Sequence, residues 1–190
     1  MNKSKTEIFN HKRKFDWQII SQSYFQCALI SARILKKKLI PFLIAEGSPN
    51  EWCLKEIYGE YPQPPKYLIF PILFNFKHGI EIYLKCIIGI KDSKFSRDHD
   101  LLFFLEEAKI TDEKVKNIIK KYALSKFLLP NNKKNDINNE FERYPQGTPY
   151  DIIKSFSTEL KSLELDELIE DIEFIYKSLR KISLSIKFPK

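Results

Sequence analysis

The chain has 190 residues, of which 43% are hydrophobic and 14% aromatic, with only 5 glycines. That is enough apolar side chain for one domain with a substantial core, and it excludes a disordered or collagen-like chain. The balance of 32 Lys and Arg against 25 Asp and Glu leaves a net charge of +7, which suits an anionic partner such as RNA, DNA or a phosphate ligand, and equally suits a basic surface that binds nothing.

Taken in chain order, residues 1–14 carry Lys3, Lys5, Lys12, Arg13 and Lys14 and read as a basic flexible arm. They lack the apolar core and small-residue cleavage site of a secretory signal. Trp17, Ile20, Tyr24, Cys27, Ala28, Ile30, Ile34 and Leu35 then recur at three- and four-residue spacing, which predicts a helix over 16–40, bent or interrupted at Pro41. Residues 48–65 hold Pro49, Gly59, Pro62, Pro64 and Pro65, a connector with a turn of helix around 52–58.

A second helix is predicted over 67–90. Pro71 is tolerable only in its first turn, which moves the start toward Phe70, and Gly89 with the following KDSKFS run ends it. The segment has the length of a membrane span. However, Lys77, Glu81 and Lys85 lie in its middle, and each charge at a bilayer centre costs roughly 2.5–3.5 kcal/mol, so the expectation is a buried helix and no membrane association.

Two short helices follow, 99–109 with Asp98 as N-cap and 112–127 with Thr111 as N-cap, the latter with Asp112 and Glu113 at its positive end. The polar, Asn-rich stretch 130–149 reads as a long loop. The final helix spans 165–186, with Leu168, Ile172, Ile175, Leu179 and Ile182 on one stripe. No internal repeat is present and alternating strand patterns are almost absent. The fold class is all-α, an up-and-down helical bundle of four to five main helices in a single domain.

Candidate chemistry falls in two places. At 100° per residue Lys77, Glu81 and Lys85 share one stripe of the second helix with Phe74 and Ile88, and His78 lies at its edge. Such a group lining a cleft could hold a phosphate, with Glu81 orienting the bases. The same spacing also describes an i,i+4 ladder on a solvated face, each pair worth about 0.2–0.5 kcal/mol. The second place is the run from Lys94 through Arg97 to His99 and Asp100 at the start of a helix. Exposed N–H groups attract anions there, and an imidazole can act as general base or hydrogen-bond donor.

The cysteines Cys27, Cys53 and Cys86 form no CxxC pair. Together with the scattered histidines they give no zinc spacing and no disulfide framework, so no metal or cofactor is expected, and a reducing cytoplasm is the expected location.

The second helix carries Lys77-His78, Glu81-Ile82 and Leu84-Lys85, and His99-Asp100-Leu101 opens the next one. This ordered pair resembles a branch of the HEPN superfamily, in which an (R/K)HxxE(L/I)xLK helix is followed by an HDLxxL helix. The segment from Phe141 to Pro145, FERYP, is similar to an FRYP element in the loop before the last helix of some members. The resemblance spans about residues 65–186.

It implies an all-α bundle, frequently a symmetric homodimer with sites at the dimer cleft, in toxin–antitoxin, abortive-infection or other defence and nucleotide-binding contexts. Many active members are metal-independent ribonucleases with an Arg four to six residues before a His. No Arg stands at that distance here. The nearest equivalent is Lys94 before His99, with Arg97 too close, and a lysine lacks the bidentate guanidinium fork.

The leading expectation is therefore an HEPN-like domain that binds RNA, a nucleotide or a protein partner such as an antitoxin. In it Lys77, Lys85, Arg97 and Arg143 contact anionic groups, Glu81 fixes the lysines, and His78, His99, Asp100 and Tyr144 complete the site. The alternatives are a metal-independent ribonuclease, with His99 as acid/base and Lys94 or Arg97 as phosphate clamp, and a purely structural protein-interaction bundle.

Overall fold

Small residues line the contact between the first two long helices. In the computed structural model, which describes residues 6–45, 69–124 and 162–186, helix α1 (Lys14–Ala45) packs against helix α2 (Ile69–Asp92). Ser21, Ala28 and Ala32 on α1 are fully buried, and Gly79 on α2 lets the backbones approach. The Ser21 hydroxyl donates to the Gly79 carbonyl at 2.7 Å. A Cβ on Gly79 would stand 2.9 Å from the Phe25 ring, so this glycine is a packing requirement.

Helix α2 is apolar over most of its circumference, and from Gly79 to Ile90 every residue is buried, the charged stripe included. A helix of that kind has no solvent face and becomes the centre of the bundle. It runs past Gly89 to Asp92 and ends at Ser93, whose φ of 58° starts the turn and whose N–H returns to the Gly89 carbonyl at 2.9 Å. Gly89 thus does not end the helix as the sequence suggests. A Cβ there would fall 2.2 Å from the Phe9 ring.

Phe9 also explains why part of the basic N-terminus is not a flexible arm. Strand β1 (Thr6–Ile8) pairs antiparallel with β2 (Lys94–Ser96), Glu7 opposite Phe95. The buried Phe9 ring meets Trp17 and Phe95. One aromatic anchor within a charged stretch is enough to hold it. Helix α1 likewise continues beyond Pro41 to Ala45. The proline stands four residues before Ala45, where it removes the bond to the Lys37 carbonyl without ending the helix.

Helices α3 (Leu101–Glu107) and α4 (Glu113–Ala123) are capped by Asp100 and Asp112. The Asp100 carboxylate accepts from the N–H groups of Leu102 and Phe103, and that of Asp112 from Val115. The expected caps, Asp98 and Thr111, are displaced by one or two residues. Asp98 instead bonds the Ser96 hydroxyl.

Helix α5 (Ser162–Ser185) closes the bundle. It runs antiparallel to α1, from Gln18 on Ser183 through Arg33 on Glu173 to Lys36 on Asp166. Against α4 it makes the Tyr122–Asp171 hydrogen bond at 2.9 Å. Leu168, Ile172, Ile175 and Leu179 are buried, as their stripe predicts, and Ile182 is partly so. Among the described residues the chain is an all-α bundle of five helices plus a two-stranded β ribbon of three residues per strand. No helix among them is long and apolar enough to cross a membrane. The predicted connector at 48–65 and loop at 130–149 lie outside the described residues.

Candidate functional site

Glu81 is placed at the middle of the most buried helix, with 2% of its side chain exposed. A lone carboxylate there would take up a proton, because burial penalises its charged form. Three nitrogen-bearing side chains prevent this. Lys85, one turn later on α2, donates from Nζ to Glu81 Oε1 at 2.8 Å. His99, in the residue before the α3 cap, places Nδ1 2.9 Å from the same oxygen. His78, almost one turn earlier, sets Nδ1 3.4 Å from Oε2. Burial pushes the Glu81 carboxyl up, but the His78 contact and the charge and hydrogen bond of Lys85 more than offset it, leaving a pKa of about 2. Glu81 is therefore ionised at neutral pH and can only accept hydrogen bonds.

That fixes the chemistry of His99. With an acceptor-only oxygen at Nδ1, the proton of the neutral imidazole resides on Nδ1, and Nε2 on the far side of the ring is the basic nitrogen. The His99 side chain is 42% exposed, so this edge of the cluster meets solvent. Lys85 and His78 lie deeper. The Lys85 ammonium also stands 4.8 Å over the Phe104 ring, while His78 is stacked on Phe74 and meets Tyr24 edge-on at 4.6 Å between centroids. The Lys85 ammonium on Oε1 would also repel a metal cation, and among the described residues no group of His, Cys, Asp and Glu is placed to hold one.

The sequence-predicted residues divide accordingly. His78, Glu81 and Lys85 on α2 meet His99 from the segment just before α3, across the β2 turn. The solvated-ladder reading is corrected: Lys77, Glu81 and Lys85 are all buried. Lys77 is not among the ion pairs of Glu81 with described residues, which run to His78, Lys85 and His99.

Arg97 does not reach the cluster. Its guanidinium pairs with Glu7 on β1 at 2.8 Å, because the β ribbon draws residues 94–96 toward the N-terminus. Lys94 is exposed on β2 opposite Ile8. Asp100 is engaged as the α3 cap, with its carboxylate on two backbone N–H groups. Arg143 and Tyr144 lie outside the described residues. Tyr24 and Phe74 wall the His78 ring; the sequence places Tyr24 on the apolar face of the first helix and Phe74 on the stripe of Lys77, Glu81 and Lys85, without giving either a role at the site.

The two described cysteines contribute nothing to this cluster. Cys27 is exposed on α1, and Cys86 is buried in α2 with its thiol pushed up to about 12 by burial. A cavity of about 510 Å³ between α3 and α4, lined by Leu102, Leu105, Ile110, Lys116 and Lys120, contains none of the four cluster residues.

Compared with protein-family models, curated proteins and solved structures, the chain matches none. The reading of its function therefore rests on the geometry of its own residues.

Proposed function

We propose that this chain is an HEPN-like domain that binds RNA or a nucleotide at the Glu81 cluster, in a defence, abortive-infection or toxin–antitoxin system. The observation that supports this most is the meeting of two separate motifs at one atom. The HxxE element of α2 and the HD element before α3 converge on Glu81, with Lys85 and His99 sharing Oε1.

Burying this carboxylate is not a stabilising device in itself, since well-packed apolar side chains in place of a buried ion pair are often neutral or better for stability. What the arrangement does is hold an ammonium and two imidazoles around one fixed negative charge, with His99 at the solvent edge. An anionic group arriving there meets a donor at His99 once that ring is doubly protonated, and Lys85 behind it. The net charge of +7 favours the encounter.

Fluorescence anisotropy with labelled single-stranded RNA and with a mononucleotide tests this reading. Binding should weaken steeply with added salt, because neutralised phosphates release counterions, and should weaken further in His99→Ala. RNA binding that is absent, or indifferent to both salt and His99→Ala, would sink the proposal in favour of a protein-interaction bundle.

One observation favours ribonuclease activity as a second reading. The Glu81 carboxylate holds His99 through Nδ1 at 2.9 Å while the side chain stays 42% exposed, the kind of contact by which a carboxylate orients a general acid/base for proton transfer. With Lys94 and Arg97 directed elsewhere, Lys85 is the described cation nearest to that role of phosphate clamp. Incubation of labelled RNA in EDTA separates the readings. Cleavage that resists chelation and vanishes in His99→Ala establishes the enzyme, and intact RNA at high protein concentration rejects it.

A further inference from the structure

Helices α3 and α4 meet around the cavity of about 510 Å³, and its lining follows from their periodicity. From α3 come Leu102, Leu105 and then Lys109, at three- and four-residue spacing. From α4 come Lys116, Lys120 and Leu124, four residues apart, so each set shares one helix face. Leu105 and Ile110 are buried, while Lys109 and Lys120 are exposed. The cavity thus has an apolar floor and a cationic rim.

The chemistry of the lining narrows the occupant. Among the described residues it offers no aromatic ring on which a base could stack and, Glu106 apart, no side-chain acceptor for a sugar hydroxyl. Leucine and isoleucine present apolar surface alone, which suits an alkyl chain. Charge complementarity sets the other end of the ligand. Lys116 is paired with Glu113 at 2.6 Å, whereas among the described residues Lys109 and Lys120 enter no ion pair. Lys109 also holds a φ of 49°, a left-handed conformation that favours glycine, so a cationic side chain stands at the mouth against a backbone cost. The negative end of α3 is offset beside it, because Lys91 donates to the Ala108 carbonyl at 2.7 Å.

We propose that this cavity binds a medium-chain fatty carboxylate, with the alkyl chain on Leu102, Leu105 and Ile110 and the carboxylate between Lys109 and Lys120. Its volume falls within the roughly 300–1,000 Å³ of ordinary small-ligand sites. None of His78, Glu81, Lys85 and His99 lines it. The inference therefore stands apart from the reading of the Glu81 cluster, and either can fail without the other.

Isothermal titration calorimetry of the full chain with decanoate, kept below its micellar concentration, tests it. Decanoate should bind at one site per chain. Affinity should rise from octanoate to decanoate by up to about fourfold for each added methylene, and decanol should bind more weakly. Reversing both free cations, Lys109→Glu with Lys120→Glu, should weaken decanoate about tenfold and leave decanol unchanged. Leu102→Trp, which fills the cavity, should remove binding of both with unchanged circular dichroism. Flotation with phosphatidylglycerol vesicles separates a free amphiphile from a bilayer. Absence of decanoate binding, affinity indifferent to chain length, binding untouched by the charge reversal or by Leu102→Trp, or capture by vesicles in place of decanoate overturns the inference.

Discussion

Replacing Glu81 by Gln perturbs the molecule at the point where fold and chemistry meet. The substitution keeps the shape and one acceptor oxygen, so Lys85 or His99 retains a partner, but it removes the charge that both share. The magnitude follows from the proton affinity of the carboxyl, which falls from an ordinary 4.5 to about 2 on folding. At 1.36 kcal/mol for each tenfold change, this depression corresponds to about 3 kcal/mol of stability. That is a large part of the roughly 5–15 kcal/mol that holds a typical domain folded.

The sign is that of a carboxylate whose folded pKa is depressed. Its contribution is complete above the unfolded value of 4.5 and is lost as pH falls toward about 2. Urea unfolding followed by circular dichroism, on both proteins at neutral pH and through the acid range, reads this directly. Glu81→Gln should be less stable by about 3 kcal/mol at neutral pH, with the gap closing in acid as wild-type Glu81 protonates. Equal stability at neutral pH, or a gap that stays constant through the acid range, would refute the argument that the cluster is a buried, ionised network.

Other expectations follow from single contacts. Gly89→Ala drives a methyl to 2.2 Å from the Phe9 ring and should destabilise by about 1–3 kcal/mol as an overpacked core does; in a thermal-melt double-mutant cycle Phe9→Ala should relieve part of that loss. Asp100→Ala removes the acceptor for two N–H groups of α3, at about 1 kcal/mol in chemical denaturation, with Asp100→Asn restoring most of it. Ser21→Ala leaves the buried Gly79 carbonyl without its hydroxyl donor and should cost about 1–3 kcal/mol. In a Cys53→Ser protein, a thiol reagent should modify exposed Cys27 in the native state and reach Cys86, whose thiol is pushed up to about 12, only on unfolding.

The helical plan was legible in the sequence because apolar spacing survives packing. The stripe from Leu168 to Leu179 appears as its periodicity requires, and Pro71 falls in the first turn of the helix Ile69–Asp92, as its missing N–H requires. The elements that were not legible each depended on one distant residue. Phe9 turns part of a basic arm into a strand by docking on Gly89, and a propensity argument restricted to residues 1–14 cannot anticipate a partner 80 residues away.

The site was half legible for a related reason. Spacing alone puts Lys77, Glu81 and Lys85 on one stripe whether that stripe faces water or the core, since i,i+4 geometry is the same in both. The deciding signal was present in their neighbours. Ile80, Leu84, Ile87 and Ile88 together with Ile82, Tyr83, Cys86 and Ile90 cover about two thirds of the helix circumference, and a helix with so narrow a polar stripe buries the charges it carries. Those charges then need partners from other elements, and His99 is the nitrogen-bearing side chain the next helix brings to Glu81. Lys94 and Arg97, though closer in sequence to His99 than Glu81 is, are drawn away by the pairing of β2 with β1. A ribbon three residues long thus decides which bases can join the carboxylate, and it does so through the buried ring of Phe9.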